Sequence, residues 1–585
     1  MRKGFALYMI FLMLVLTLFI PTHSEALDYE MDLYLGNDDA SFWGESEFDR
    51  AGWSVAGAGD VNGDGYDDIL IGAWGNNNSG DSTGQTYLIL GKASGWAMDT
   101  DLSASDASFW GEDASDQSGW SVAGAGDVNG DGHDDILIGA YRNTNGGVFQ
   151  AGQTYLIFGK ASGWAMDTDL SASDASFWGE NEYGHSGFSV AGAGDVNRDG
   201  YDDILIGAPG DDEGGNRAGQ TYLIFGKPSG WSKDTNLSMS DASFWGEDGD
   251  DLSGVSVAGA GDVNDDGFDD ILIGAEYDDF GSDDSGRTYL ILGRASGWAM
   301  DTNLSMSDAS FFGEYAEDSS GCCVAGAGDV NGDGCDDILI GARYNNERGE
   351  KAGQTYLIFG KISGWVMDTN LSESNASFLG EDSGDLSGGS VAGAGDVNSD
   401  GYDDFLIGAI GNDESGSNAG ETYLIFGKVS GWVMDFNLFN SNVSFLGEKE
   451  FDYSGCSVAG AGDVNGDGSD DILIGSDGNY GSELAGQTYL IFSIQNSTLL
   501  DRDGNKVPSV NDAYPDDRDR WEEVCTVWWI VIIVVILVLG LIVGVVLITR
   551  KKGIDKEEME DDLVDELGKG GKDDAGESVE DKKDG

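Results

Sequence analysis

The sequence predicts an all-β fold, a seven-bladed β-propeller closed by its own N-terminal strand, followed by a single C-terminal transmembrane helix. Three observations carry this prediction. A phrase like DVNGDGYDDILIGA returns seven times, with its first Asp at 60, 127, 195, 262, 329, 396 and 463. Each unit holds four short runs of β-branched or aromatic residues separated by Gly, Asn and Asp. Near the other end, the 24 residues from Thr526 to Thr549 carry no charge.

The four runs of the first unit are SVAGAGD at 54–60, DILIGA at 68–73, TYLILG at 86–91 and ASFWGE at 107–112. Their length and composition are typical of strands, and no helical periodicity interrupts them. Four strands per repeat, repeated many times, is the pattern of a propeller blade. A β-solenoid remains the alternative, although its coils are usually shorter than these repeats of 67 or 68 residues.

The ends of the repeat region indicate how the ring closes. The first SFWGE (41–45) precedes the first acidic loop, whereas the last unit stops at TYLIFS (488–493) with no such run after it. We therefore expect residues 41–45 to supply the outer strand of the blade built from 455–493. Closing the circle in this way leaves no sheet edge that needs capping.

Two apolar segments divide the chain into domains. Arg2 and Lys3, an apolar run and small residues near Ala26 predict a secretory signal peptide. The apolar run at 526–549 is about 36 Å long as a helix and is followed by basic residues, which places the tail in the cytoplasm. The predicted domains are a signal peptide at 1–26, the propeller at 28–495, an acidic stalk at 496–525, the transmembrane helix at 526–549 and a short charged tail at 550–585.

Composition narrows the function classes. The formal net charge is −77, so nucleic acid is not an expected partner, because phosphate recognition needs Lys and Arg. Five Cys cannot staple 585 residues into a disulfide framework. The Asn-x-Ser/Thr sites, such as that at Asn236, predict a glycoprotein if the chain is exported.

The acidic loop D-x-N-x-D-G-x-D-D between the first two strands of each unit predicts a Ca²⁺ site. Side-chain oxygens at positions 1, 3, 5 and 9, with the backbone carbonyl at position 7, surround one ion, and Gly at position 6 permits the sharp turn. Hard oxygen ligands in a flexible loop favour Ca²⁺. The loop differs from an EF-hand because its last acid is at position 9 and a strand follows it.

Seven such loops predict about seven structural Ca²⁺ ions, each fastening a hairpin so that metal affinity adds to folding free energy. The expected ligands are Asp60, Asn62, Asp64, Tyr66 and Asp68; Asp127, Asn129, Asp131, His133 and Asp135; Asp195, Asn197, Asp199, Tyr201 and Asp203; Asp262, Asn264, Asp266, Phe268 and Asp270; Asp329, Asn331, Asp333, Cys335 and Asp337; Asp396, Asn398, Asp400, Tyr402 and Asp404; and Asp463, Asn465, Asp467, Ser469 and Asp471, with the fourth of each set acting through its carbonyl.

The stretch GWSVAGAGDVNGDGYDDILIGA (52–73) resembles an FG-GAP repeat, the blade of the integrin α-subunit propeller, and the resemblance covers about 28–495. It implies a calcium-binding propeller that takes part in cell adhesion. The family's Phe before Gly is replaced here by Ala or Ser, and its GAP triplet is intact only at 207–209. The long leg of integrin α-subunits has no counterpart, which puts an integrin-like β-subunit partner in doubt.

The stalk is similar to a thrombospondin type-3 calcium repeat in the stretch DRDGNKVPSVNDAYPDD, 501–517. The resemblance implies one further Ca²⁺ there, and a plain polar stalk is the alternative. Its ligand positions fall on Asp501, Asp503, Asn505 and Asp512.

One face of the predicted ring carries segments that differ among the seven units. Connections in an antiparallel blade alternate between faces, so the calcium loops share one face with the repetitive GKASGWAMDT connectors. The opposite face holds variable loops, where binding tends to occur and where aromatic residues and Arg are the expected anchors. The candidate ligand-binding residues are Trp74, Tyr141, Arg142, Phe149, Tyr183, Arg343, Tyr344, Arg348 and Tyr480. Neutral drift of exposed loops is the alternative.

The sequence favours a calcium-stabilised adhesion or recognition protein on the cell surface, with an extracellular protein or glycan as ligand. A structural envelope component and a polysaccharide-acting enzyme are the alternatives. No unit carries a distinctive Ser-His-Asp set, and only three His are present, so the chain is not expected to be an enzyme. Gly540 and Gly544 form a GxxxG motif, which allows a homodimer through the membrane helix.

Overall fold

The fold is a closed ring of seven five-stranded sheets. It is described here from a computed structural model, which covers residues 31–493 apart from 38, 145–146, 442 and 479–483. Within each sheet four strands run antiparallel, and a two- to four-residue fifth strand pairs parallel to the outermost one. The predicted seven-bladed propeller is confirmed. The fifth strand was not predicted.

The first four blades follow the repeats in order. Blade 1 consists of β3 (Ser54–Gly59), β4 (Asp68–Ala73), β5 (Gln85–Ile89), β7 (Ala107–Trp110) and edge strand β11 (Thr168–Asp169). Blade 2 consists of β8 (Ser121–Gly126), β9 (Asp135–Ala140), β10 (Gln153–Ile157), β12 (Ala175–Trp178) and β16 (Thr235–Asn236). Blade 3 consists of β13 (Ser189–Gly194), β14 (Asp203–Ala208), β15 (Gln220–Ile224), β17 (Ala242–Trp245) and β21 (Thr302–Asn303). Blade 4 consists of β18 (Ser256–Gly261), β19 (Asp270–Ala275), β20 (Arg287–Ile291), β22 (Ala309–Phe312) and β26 (Thr369–Asn370).

The last three blades include the strands that close the ring. Blade 5 consists of β23 (Ser320–Gly328), β24 (Asp337–Ala342), β25 (Gln354–Ile358), β27 (Ala376–Leu379) and β31 (Phe436–Asn437). Blade 6 consists of β28 (Ser390–Gly395), β29 (Asp404–Ala409), β30 (Glu421–Ile425), β32 (Val443–Leu446) and β1 (Met31–Tyr34). Blade 7 consists of β33 (Ser454–Gly462), β34 (Asp471–Ser476), β35 (Gln487–Ile491), β2 (Ala40–Trp43) and β6 (Thr100–Asp101).

Short 3-10 helices precede the outer strands, and most begin with an Asp or Asn cap. In the first of the capped helices, the Asp101 side chain accepts a hydrogen bond from the Ser103 N–H. The helices span Leu35–Asn37, Leu102–Ala104, Leu170–Ala172, Leu237–Met239, Leu304–Met306, Leu371–Glu373 and Leu438–Asn440.

The N-terminal segment closes the ring as the sequence predicts. Strand β2 pairs antiparallel with β35, with Phe42 opposite Thr488. One strand earlier, β1 pairs parallel with β32 of blade 6. The two N-terminal strands therefore complete two different blades, and the second of these contacts was not predicted.

The apolar core lies between adjacent blades. All six residues of DILIGA are buried in β4, because both faces of that strand are covered by neighbouring sheets. A typical cluster joins Leu137 and Leu156 of blade 2 to Phe177, Ile204 and Tyr222, and so spans the junction with the next blade.

Around the axis, glycines allow the inner strands to approach closely. A methyl group on Gly259 would lie 2.9 Å from the carbonyl oxygen of Gly192, and one on Gly192 would lie 2.9 Å from that of Gly124. The same relation continues round the ring, where Gly57 approaches Gly460 at 2.8 Å. The inner wall is therefore a closed circle of backbone contacts.

Candidate functional site

Each predicted calcium loop is a turn built around the carboxylate of its first residue. In blade 1, Asp60 Oδ1 accepts hydrogen bonds from the N–H groups of Gly63 (2.7 Å) and Asp64 (3.0 Å). Its Oδ2 accepts from the Gly65 N–H at 2.8 Å. Gly65 has a φ of +91°, which explains why Gly occupies position 6.

The ninth residue of the loop joins three segments of its blade. Asp68 is fully buried, and it accepts hydrogen bonds from the N–H of Val61 at 3.0 Å and from that of Gly91 at 2.7 Å. Burial raises the pKa of its carboxyl to about 7, and the charges of Asp60 and Asp64 add to the effect. A cation held here would favour the ionised form.

The same pKa shift occurs at position 9 in all seven loops, with burial as its largest cause. The pKa is raised to about 7 at Asp270 and Asp337, and to about 8 at Asp135, Asp203, Asp404 and Asp471.

The donor set of each loop suits a hard divalent cation. Asp60, Asn62, Asp64 and Asp68 offer carboxylate and amide oxygens, which are the ligands that Ca²⁺ prefers. The ligand atoms of the three acids in one loop do not all lie within 4.8 Å of one another, however. Among the described residues, the three acids whose ligand atoms all lie within 4.8 Å of one another are Glu381, Glu414 and Glu421, on another face of the ring.

The eighth residue of each loop has a role that the sequence analysis missed. Asp134 Oδ2 accepts a hydrogen bond from the Asp60 N–H at 2.8 Å, across the boundary between blades 1 and 2. Equivalent bonds of 2.7–2.8 Å link every adjacent pair of blades, including blade 7 with blade 1, where Asp463 N–H donates to Asp67. The acceptors are Asp67, Asp134, Asp202, Asp269, Asp336, Asp403 and Asp470.

These eighth residues form what we call the aspartate ring. It couples the loops, because the residue that begins one loop is bonded to the loop of the next blade. Burial raises the pKa of each of these carboxyls, against the backbone hydrogen bond, which lowers it. The seven loops are therefore one connected belt on this face.

The opposite face, which we call the variable face, carries the 2–3 loops and the 4–1 connections, as predicted. The Gly75 N–H of a 2–3 loop donates to the Asp49 carbonyl of a 4–1 connection, so the two kinds of segment meet there. Sevenfold repetition of the loops on one face and variation on the other is thus a property of the folded ring.

The predicted ligand-binding residues differ in exposure. Phe149 and Tyr183 are 47% and 52% exposed, and their rings contact each other at 5.3 Å. Tyr141 is only 7% exposed. Arg142 and Arg348 are exposed, Trp74, Arg343 and Tyr344 are half-buried, and Tyr480 lies outside the described residues.

The structure gathers several of these aromatic residues into one cluster with residues that were not singled out as ligand-binding. Trp120 lies 4.7 Å from Trp53, 4.6 Å from Tyr141 and 5.5 Å from Phe188, measured between ring centroids. Trp74 joins at 5.7 Å from Trp120. We call these five residues the aromatic cluster. It belongs to blades 1–3.

A comparison with known families addresses the nature of the repeats. The FG-GAP repeat model matches five segments of the ring, residues 51–89, 118–157, 186–224, 253–291 and 324–358. Each match covers the first three strands of a blade or most of them, together with the acidic loop. The ring is an integrin α-like FG-GAP propeller.

Curated proteins of similar sequence support the assignment of the ring as an FG-GAP propeller. Integrin alpha pat-2 of Caenorhabditis briggsae is 31% identical over 245 residues, which are 40% of this chain and 18% of that protein. Integrin alpha-5 of Xenopus laevis is 33% identical over 241 residues, 40% of this chain and 20% of that protein. Phosphatidylinositol-glycan-specific phospholipase D of Dictyostelium discoideum is 26% identical over 246 residues, 39% and 25%. The chain thus spans a quarter or less of the length of these relatives.

On its variable face the FG-GAP propeller also holds buried carboxyl groups. Asp116, 3% exposed, accepts hydrogen bonds from the Asp113 N–H at 2.9 Å and from the Asn143 amide at 3.0 Å, and that amide also donates to the Tyr155 hydroxyl. The pKa of Asp116 is raised to about 7, mainly by burial and in smaller part by the charges of Asp113 and Glu112.

Four cysteines of the propeller are free thiols, at Cys322, Cys323, Cys335 and Cys456. These four cysteines form no disulfide bridge within the described part of the chain. Burial raises the pKa of Cys322 to about 12, so its thiol stays protonated at neutral pH.

Several predictions concern residues outside the described part of the chain. They are the signal peptide at 1–26, the stalk with Asp501, Asp503, Asn505 and Asp512, the transmembrane helix at 526–549 with its GxxxG motif, and the tail at 550–585. Among the residues that the structure does describe, none forms a helix of the length and apolarity needed to span a membrane.

Proposed function

We propose that this chain is a calcium-stabilised adhesion or recognition protein of the cell surface, anchored by the helix at 526–549, which binds an extracellular ligand through the variable face. The observation that carries the proposal is the division of one ring into two faces. One face repeats the same acidic loop seven times, and the other departs from the repeat with a cluster of aromatic side chains. Repetition suits a structural role, whereas variation on a rigid scaffold suits recognition.

In this proposal calcium acts on stability and not on ligand contact. Each ion would be held by the side chains at positions 1, 3, 5 and 9, and it would offset the repulsion among carboxylates that share a loop. Because the aspartate ring links consecutive loops, an ion in one loop would also support the next blade. Removing calcium should therefore loosen the whole ring.

Calcium stoichiometry tests the metal part of the proposal. The full chain, dialysed against buffered Ca²⁺ and analysed for bound metal, should hold about seven ions in the propeller. Asp203→Asn should lose about one ion and lower the unfolding temperature, since it removes one buried charge from a ligand set. Asp81→Asn, an exposed site outside the loops, should lose none. A chain that binds no calcium, with unfolding unchanged by chelator, would refute the metal part.

Cell binding tests the recognition part. The full chain in mild detergent, coupled to beads, should bind cells of its source organism saturably in the presence of Ca²⁺ and lose binding on chelation. Phe149→Ala and Tyr183→Ala should weaken binding, whereas Met306→Ala should not, because Met306 is 75% exposed among the connectors of the opposite face. Folded, calcium-loaded protein that binds no cell would point instead to a structural envelope component.

Membrane anchoring is tested separately. The full chain should remain with membranes after alkaline carbonate extraction, and a chain ending before residue 526 should be released. Protease added to intact cells should reach the propeller and spare an epitope in the tail. Release of the full chain by carbonate would contradict the anchor.

A further inference from the structure

The variable face contains a cavity of about 510 Å³ where the aromatic cluster ends. Its lining comes from the connection that enters blade 3, from the 2–3 loop of that blade, from the connection that enters blade 4 and from Glu276 at the start of the 2–3 loop of blade 4. A cavity of this size falls within the range of roughly 300–1,000 Å³ that holds small molecules. One of its lining residues, Tyr183, is also a candidate ligand-binding residue predicted from the sequence.

The inner part of the cavity is apolar. Phe188, Pro209, Leu252 and Val255 are buried or half-buried lining residues. Tyr183 stands at the exposed side, 52% accessible. The inner part of the cavity therefore offers a ligand hydrocarbon and ring surfaces.

The aromatic surface continues beyond the cavity. Phe188 lies 5.5 Å from Tyr141, which lies 5.5 Å from His185, and His185 lies 6.5 Å from Tyr183. Phe149 extends the row at 5.3 Å from Tyr183. Because Tyr141 is only 7% exposed and Phe149 is 47% exposed, an elongated ligand would find further ring surface beside Tyr183, at Phe149.

The stronger charges of the cavity are already paired. Arg217 contacts Asp250 at 2.7 Å, and Glu276, 5% exposed, contacts Arg343 at 2.7 Å. Burial, with Arg142 nearby, lowers the pKa of His185 and favours its neutral form. Glu182 and Asp212 are exposed carboxylates at the edge, where they would accept hydrogen bonds from hydroxyl groups. The cavity thus offers an anion no uncompensated cation among its described lining residues.

The position of Phe188 shows that the repeat changes here. Trp53, Trp120 and Phe188 follow the same Gly in blades 1–3. The corresponding residues of the other four blades are Val255, Cys322, Gly389 and Cys456, so one side of the ring is aromatic and the other is not. Flanking strand sequences are nearly identical in all seven blades. The difference therefore lies at this half-buried position and does not extend into the strands.

We propose that the cavity and the adjoining aromatic row bind a neutral saccharide chain. A pyranose ring has an apolar C–H face, which stacks on aromatic rings, and a rim of hydroxyls, which donate to carboxylates and amides. This inference rests on the proposed recognition function and names its ligand class.

The charges of the protein favour a neutral saccharide over an anionic saccharide or a cationic peptide. A sulfated or uronic saccharide would approach a chain of formal net charge −77 against repulsion. A cationic peptide would be attracted, but the carboxylates that remain for it are exposed, and exposed ion pairs contribute little. A neutral chain with many hydroxyls uses both the apolar interior and the polar edge.

Titration calorimetry of the full, calcium-loaded chain tests this. The probes are neutral hexasaccharides of β-1,4-linked glucose, β-1,4-linked N-acetylglucosamine and α-linked mannose, with a sulfated hexasaccharide and an Arg-rich hexapeptide as competing ligands. At least one neutral probe should bind saturably. Tyr183→Ala should weaken that binding by about fivefold through loss of a stacking surface. Tyr315→Ala, an equally exposed tyrosine of blade 5, should leave it unchanged.

Two kinds of result would overturn the proposal. One is binding of the peptide or the sulfated probe in preference to every neutral probe. The other is neutral binding that Tyr183→Ala does not weaken, or no neutral binding at all. If cell binding remains calcium-dependent while all neutral probes fail, the ligand class is wrong and the proposed function stands. If cell binding fails too, both are wrong.

Discussion

At the scale of single residues, the adjacent aspartates at positions 8 and 9 of each loop make different hydrogen bonds. Asp203 bonds within its own blade, to the N–H groups of Val196 and Gly226. Asp202 reaches the preceding blade and accepts from the Asp127 N–H at 2.8 Å. Both positions are Asp in all seven copies, so spacing alone does not reveal which carboxylate bonds within its own blade and which reaches a neighbouring blade.

The aspartate ring predicts a difference between two substitutions. Asp202→Ala leaves the Asp127 N–H without its acceptor, which should lower the free energy of unfolding by about 1–3 kcal/mol. Asp202→Asn keeps an acceptor oxygen and should cost clearly less. Urea unfolding at saturating Ca²⁺ measures both. An equal loss for the two variants would show that the charge, and not the hydrogen bond, matters at this position.

The buried carboxyl of Asp116 predicts a pH dependence. Its pKa is raised from 3.8 to about 7 in the folded chain, so its contribution to stability is present below about pH 4 and is lost as the pH rises through 7. Asp116→Asn should flatten the decline in the free energy of unfolding between pH 5 and 8, measured at saturating Ca²⁺. Glu373→Gln, at an exposed carboxyl of blade 5, should keep the slope of the unchanged chain. The same slope in both variants would contradict the prediction.

At the scale of elements, the sequence predicts what a local pattern encodes. The runs at β3, β4, β5 and β7 are apolar and bounded by turn residues, so their identity and order follow from the repeat. The edge strand β16 has only two residues, Thr235 and Asn236, and it exists because β12 of another repeat lies beside it. A two-residue strand that pairs with another repeat is too short to show the alternation of apolar and polar residues that marks a strand in a sequence.

On the variable face, too, the sequence predicts the features that one loop encodes and misses those that depend on contacts with other parts of the chain. Aromatic residues in variable loops mark the face, and Phe149 and Tyr183 are exposed there. Tyr141 is 7% exposed because it packs against Trp120 of its own blade and against His185 and Phe188 of the connection that enters blade 3. Contacts with the next blade contribute to this burial, and the sequence of one loop does not contain them.

The inner strands predict a steric limit. Gly259→Ala places a methyl group 2.9 Å from the carbonyl oxygen of Gly192, and backbone on both sides cannot move without widening the ring. We expect a loss of about 1–3 kcal/mol in the free energy of unfolding. Gly389→Ala, whose nearest contact is 3.2 Å and lies outside the inner circle, is the control. If the two cost the same in urea unfolding, close approach of inner strands is not what limits this position.

At the scale of the whole molecule, closure of the ring gives the N-terminal strand β2 the same packing as the outer strand of another blade. Phe42 of β2 is 4% exposed and meets Trp96 edge-on at 6.4 Å. Phe177 of β12 is also 4% exposed and meets Trp231 at 6.3 Å. The strand added from the N-terminus is thus packed as well as one that belongs to its own repeat.

This equivalence predicts equal costs. Phe42→Ala and Phe177→Ala should each lower the free energy of unfolding by about 3–5 kcal/mol, since each leaves a cavity of the same kind. Thermal and urea unfolding of the two variants should agree closely. A much smaller loss for Phe42→Ala would mean that the ring opens readily between blades 7 and 1.

Closure of the ring also determines when the N-terminal strands can pair during synthesis of the chain. The Phe492 N–H donates to the Asp39 carboxylate across 453 positions of sequence, so the first strands made must wait for the last. At a synthesis rate of 5–20 residues per second, that wait is roughly 20–90 s. During it the segment ASFW of β2 competes with identical segments in β7, β12 and β17 for partners of identical sequence. Exchange of this strand between two nascent chains, giving entangled pairs of rings, is therefore the assembly error to which this architecture is most exposed.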